Sequence, residues 1–147
     1  MKKQFLLIPF FLALIMIGLG LSGMGVIIPE MAQHFSVPYS VVGRVFLFHG
    51  LGHLLSIFIA GILGDMINQV SILRWGIFLS LVGFGGISFF PSFSLVMASF
   101  LLMGVGLGFV DAMVNPVATS IFTEKPAGTL NIIHAFFGLG SLTAPRL

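Results

Sequence analysis

Asp111 is the one charged residue in the run from Phe93 to Phe122. That run is longer than the roughly 20 apolar residues needed to cross a bilayer. A carboxylate at the centre of such a span costs roughly 3 kcal/mol on insertion scales, and it is kept where it carries a proton or grips a polar solute. The plain alternative is a hydrogen-bond partner for a neighbouring helix. Asn115 follows one helical turn later, where it could orient that carboxyl, bind solute hydroxyls, or act as glue between helices. His49 and His53 stand four residues apart in a second apolar run, and Asn131 and His134 three apart in another. A histidine pair at that spacing can chelate a metal, but a site needs a third ligand and none is near in sequence. Pore lining or interhelical hydrogen bonding is the better reading, with no metal and no cofactor. His134 and Asn131 could contact solute or couple to Asp111, or pack at a helix start.

Helices crossing a membrane must hold these side chains. Of 147 residues, 58% are hydrophobic and 7% charged, and the mean hydropathy is +1.18. A soluble domain carries about 25% charged residues. The net charge of +2 rests on ten charged side chains in all, with no basic patch of the kind nucleic acid needs. There is no cysteine, which removes disulfides, thiolate nucleophiles and thiolate metal sites. No nucleophile elbow, no phosphate-cradling glycine loop with lysine and no second acid beside Asp111 is present, so the chain is not read as an enzyme.

Five hydrophobic segments are expected, at about 5–28, 40–63, 72–90, 93–121 and 129–147. The first four can cross as helices, because lipid leaves no other partner for backbone polar groups. The expected fold class is an all-α transmembrane helix bundle. The apolar stretch of the first segment exceeds the 7–15 residues of a signal-peptide core, so it reads as an uncleaved helix. Lys2 and Lys3 precede the first span, Arg74 lies beside the second connection and Lys125 in the fourth, while the connections at 29–39 and 91–92 have no Lys or Arg. That split predicts a cytoplasmic N-terminus in a multi-pass inner (plasma) membrane protein. Arg44 departs from it and can snorkel. The fifth segment stops just after Pro145-Arg146, which reads as a truncated span.

Helical periodicity groups the polar and small residues into stripes. His49, His53, Ser56, Ala60 and Gly64 share one face; Gly104, Gly108, Asp111, Asn115 and Thr119 share another. Asn131, His134, Gly138, Ser141 and Pro145 form a third, and Gly18, Ser22 and Gly25 a fourth. Small residues let membrane helices approach closely, and polar ones turn inward. At about 1.5 Å per residue, His49, His53 and Asp111 come out near the midplane, with Asn115 and His134 nearer the cytoplasm. Pro116 removes the amide that would bond the Ala112 carbonyl, so a helix kink is expected there.

Two stretches resemble a known family. Ile28-Pro-Glu-Met-Ala-Gln-His-Phe-Ser-Val37, with Gly43, Gly50, Gly52 and Gly61-Ile-Leu-Gly-Asp65, is similar to the first two helices of major facilitator superfamily transporters. The closing Gly61-to-Asp65 pattern is part of that family's loop signature, which implies a gating role for Gly61 and Asp65. Where the family continues with basic residues, this chain has Met66-Ile-Asn-Gln-Val70. Gly104-x-Gly-x-Gly with Asp111, Asn115 and Pro116, then Leu130-Asn-Ile-Ile-His-Ala-Phe-Phe-Gly-Leu-Gly140, resembles the sugar-porter branch related to fucose permease. That resemblance implies a central cavity served by Asp111, Asn131 and His134. The first span here has no acid, whereas some proton-coupled members carry one.

The function implied is transport of a small polar, sugar-like solute by proton-coupled secondary transport, with the lipid bilayer as surroundings. Such transporters have about twelve spans in two six-helix halves. Residues 1–147 would therefore be a partial N-terminal domain whose partner is the missing C-terminal half. The alternative is a small complete membrane protein that oligomerises, as an exporter or an assembly subunit.

Overall fold

The computed structural model describes residues 7–144. Lys2, Lys3, the first two residues of the expected first span, and Pro145-Arg146-Leu147 lie outside the described residues. Among the described residues every regular element is helical: α1 Ile8–Val26, α2 Ile28–His34, α3 Tyr39–Val42, α4 Arg44–Met66, α5 Gln69–Phe89, α6 Phe93–Ile121 and α7 Pro126–Thr143. Four helical stretches among them are long and apolar enough to cross a membrane, at Ile8–Val26, Tyr39–Met66, Gln69–Phe89 and Phe93–Ile121. The protein is an all-α membrane protein.

Local chemistry explains the boundaries. The Asn68 side chain accepts a hydrogen bond from the Val70 amide at 2.9 Å. This N-cap starts α5 at Gln69, three residues before the hydropathy pattern alone would. Pro126 occupies the first turn of α7, where its missing amide costs nothing, so that helix also starts earlier than the apolar run. The stretch 29–39, expected as a plain connection, contains α2, with Pro29 in its first turn. Ser36 then takes a left-handed conformation, φ 53°, at the position after the α2 cap that glycine commonly fills. Ser36 N–H donates to the Gln33 carbonyl and Val37 N–H to the Ala32 carbonyl, closing the helix end. Gly43 separates α3 from α4 but keeps helical torsions, φ −54° and ψ −19°, so the two run on as a single candidate span.

The chain divides into two compact units, and the division falls within α6 after Met113. One unit is Ile27–Met113. Its core gathers Val42, Val45, Phe100, Met103, Leu107 and Val110, all buried. Helix α6 meets α4 and α5 here at backbone contact. A Cβ at Gly104 would collide with the His49 carbonyl, and one at Gly52 with the Leu101 carbonyl. Gly106, two residues along and on a different face of α6, would collide with Ser80 of α5 and lie 2.7 Å from the Gly76 carbonyl oxygen. Gly76, Gly83 and Gly86 of α5 are equally tight against α6. The Gly104-x-Gly-x-Gly motif thus works on two faces, with Gly104 and Gly108 serving α4 and Gly106 serving α5.

The other unit is α1 with the chain from Val114 onward. Phe10, Ala13, Leu14 and Ile17 are buried at helical spacing on α1. Gly18 abuts the backbone of Phe137 and Ser141, and Gly140 abuts the Ile15 carbonyl. Phe11 stacks on Phe136 with ring centroids 4.0 Å apart. Two residues of the expected small faces make no such contact: a Cβ at Gly25 or at Gly138 meets nothing within 4 Å. Where two helix axes cross decides which glycine is used, and that crossing is not encoded in the spacing of one helix.

Candidate functional site

In the Ile27–Met113 unit, the tight seam between α4 and α6 sets the chemistry. Gly108 lets α4 come so close that a Cβ there would strike Ser56 Oγ and the His53 carbonyl oxygen. Ser56 Oγ donates to the His53 carbonyl at 2.9 Å, turning its hydroxyl along its own helix. The approach carries His53 Nε2 to 3.8 Å from Asp111 Oδ2. At that separation the pair is electrostatic, beyond ordinary hydrogen-bond length. The His53 side chain is 22% exposed and that of Asp111 44%, so the carboxylate has an open side. His49 lies one turn from His53 on α4, its ring 6.0 Å away and nearly parallel at 17°. His49 is buried, and neither its Nε2 nor that of His53 has a hydrogen-bond partner. A buried imidazole nitrogen without a partner is costly unless a solute or water engages it. Among the described residues, no group of three or more His, Cys, Asp or Glu side chains is arranged to hold a metal ion.

In the unit of α1, the end of α6 and α7, the structure joins Asn115 to His134. His134 Nε2 and Asn115 Oδ1 are 3.0 Å apart. This bond joins the C-terminal part of α6 to α7. Asn131, three residues before His134, is exposed and has no such bond. Thr119 Oγ1 donates to the carbonyls of Asn115 and Pro116 at 3.0 and 3.1 Å. Helix α6 runs through Pro116 without a break in its assignment. The Thr119 hydroxyl is thus spent on its own helix one turn beyond the proline. An Asn115→Ala, His134→Ala double-mutant cycle should give a coupling of about 0.6 kcal/mol, the usual size for membrane interhelical bonds. Unfolding in mixed micelles measures it, and additive single effects would show the bond to be idle.

The Major Facilitator Superfamily model matches residues 10–147. The chain belongs to this superfamily. This superfamily chain is 26% identical over 133 residues to the sodium-dependent glucose transporter 1 of Rattus norvegicus, covering 89% of this chain and 28% of that protein. It is 25% identical over 124 residues to Protein TsgA of Escherichia coli O1:K1 / APEC, covering 84% of this chain and 32% of the relative. The same figures hold for Protein TsgA of Escherichia coli O139:H28. The superfamily chain thus spans about a third of the length of these curated relatives. No solved structure matches it. Its partial loop signature closes α4: Gly61 is exposed with nothing within 4 Å of a Cβ, and Asp65 is exposed next to the terminal Met66.

The polar stripe of the second span needs one addition. Gly52 is buried on α4 against α6 and does as much as Ser56 to set the seam. The signal for it lay in sequence: Gly52, Ser56 and Ala60 recur every four residues, the spacing of a close-packing face.

Proposed function

We propose that this superfamily chain serves the transmembrane transport of a small polar, sugar-like solute, coupled to protons. The observation that carries the reading is the Asp111 carboxylate facing His53 at 3.8 Å between two apolar candidate spans. A carboxylate in that setting, half open and beside imidazole nitrogens that lack partners, is suited to take up and release a proton or to hold a hydroxyl-bearing solute. Asp111 is the proton-linked or solute-binding acid, and His49 and His53 are its partners. Asn115, Asn131 and His134 offer amide and imidazole groups to solute hydroxyls, Gly61 and Asp65 serve the gate, and Pro116 bends α6. The relatives are about three times the length of this chain, which supports a working transporter with a further helical half. The placement of Arg74 and Lys125 supports an inner-membrane orientation with a cytoplasmic N-terminus.

One relative's name includes both glucose and sodium. The first supports the sugar-like solute; the second favours a rival reading in which sodium drives the cycle. Uptake driven by a proton gradient or by a sodium gradient in reconstituted vesicles separates the two.

The site itself is tested by accessibility. The 147 residues have no cysteine, so Asp111→Cys supplies one reporter. A water-soluble maleimide should label it, and glucose should slow the labelling. A cysteine sealed from water in every state would sink the reading.

A further inference from the structure

The N-terminal third of α5 carries a second kind of surface. Ser71, Arg74, Trp75 and Phe78 line an open hollow, and their spacing places all four on one helical face. Trp75 is 61% exposed and Phe78 54%, with the rings in an edge-to-face pair at 5.7 Å. The face continues up the same candidate span through Val82, exposed at 45%, to Gly85, where a Cβ would meet nothing within 4 Å. A guanidinium and a hydroxyl therefore stand at the end of a membrane helix. Below them lie the two aromatic rings, and below those an open face at Val82 and Gly85.

We propose that this face binds one anionic phospholipid, its phosphate on Arg74 and Ser71 and an acyl chain along Trp75, Phe78 and the open face at Val82 and Gly85. Charge and depth both select that occupant. Arginine presents a planar fork of donors that matches phosphate oxygens, and serine adds one more donor. Tryptophan sits where headgroup meets hydrocarbon, its ring apolar and its N–H polar. A soluble anion would satisfy Arg74 but leave the rings and the apolar face beyond them bare. A zwitterionic lipid would cover the rings but bring its own cation beside the guanidinium.

Trp75 is the sole tryptophan of the 147 residues, and its signal is isolated as the difference between the unaltered and Trp75→Phe proteins. The protein at its natural length is placed in mixed micelles with bromine-labelled phosphatidylglycerol or phosphatidylcholine, and quenching of Trp75 is followed. The Trp75→Phe protein supplies the background. Phosphatidylglycerol should quench at about fivefold lower mole fraction than phosphatidylcholine, the weight of one basic residue at an anionic surface. Arg74→Gln should abolish the preference, and Arg74→Lys should keep part of it, which also guards against a variant that fails to fold. Equal quenching by the two lipids would overturn the proposal, as would a preference that survives Arg74→Gln. No quenching by either lipid would mean that protein covers the face. Loss of the preference on adding inorganic phosphate, at matched ionic strength, would assign the site to free phosphate instead.

Discussion

Asp111→Asn should, on the proposed function, lower solute uptake on the order of 10- to 100-fold, the weight of an interaction with a charged group. The substitution keeps the size and one acceptor of the side chain and removes its charge and its ability to gain or lose a proton. His53 loses the negative partner that now stands 3.8 Å from its Nε2. If Asp111 carries the coupling proton, what uptake remains should no longer vary with pH. If it only holds solute, affinity should fall while the pH profile persists. Solute uptake measured across pH, with surface expression checked, reads both results. Unchanged uptake in Asp111→Asn would refute the role. His53 Nε2 is the group that faces this carboxylate, so a His53→Gln variant is the needed companion. It should shift the profile of the unaltered protein and leave that of Asp111→Asn flat.

Gly108→Leu should cost about 3 kcal/mol or more, the upper range for overpacking a tight core. A Cβ at this position would strike Ser56 Oγ and the His53 backbone carbonyl, so rotating one side chain does not relieve it. Helix α4 has to move off α6, and that motion also parts His53 from Asp111. The matched control is Gly50→Leu, since Gly50 lies on the same protein with nothing within 4 Å of a Cβ. Denaturation in detergent should separate the two variants clearly. Equal midpoints would show that the α4–α6 seam is loose, and the site geometry built on it would fall.

Much of this arrangement could be read from residue types alone. The run 93–121 needed only its apolar length to be recognised as one helix, because Pro91 and Ser92 precede it and Thr123 to Pro126 follow. The isolated charge of Asp111 marked it, and the four-residue spacing of His49 and His53 put them on one face of α4. What stayed hidden depends on two helices at once. Gly140 and Gly138 look alike in a list of small residues, yet only Gly140 meets α1. Asn131 and His134 share a face by spacing, yet only His134 reaches Asn115. The helix at Ile28–His34 was hidden for another reason, since a proline and polar residues read as loop until Pro29 is placed in a first turn.

The buried hydroxyls along α4, α5 and α6 have a consequence of their own. Ser56, Ser80 and Ser99 each donate to a carbonyl of their own helix, at 2.9, 2.8 and 2.9 Å. Their donors are spent before the neighbouring helix arrives, so they add bulk to the contact and no directional bond. Such a seam discriminates by volume and is blind to polarity. Alanine in place of any of the three would cost the neighbouring helix a packing contact but no hydrogen bond. Along these hydroxyls, recognition between the helices is a matter of fit, and the polar pairing across the α4–α6 seam falls to His53 and Asp111.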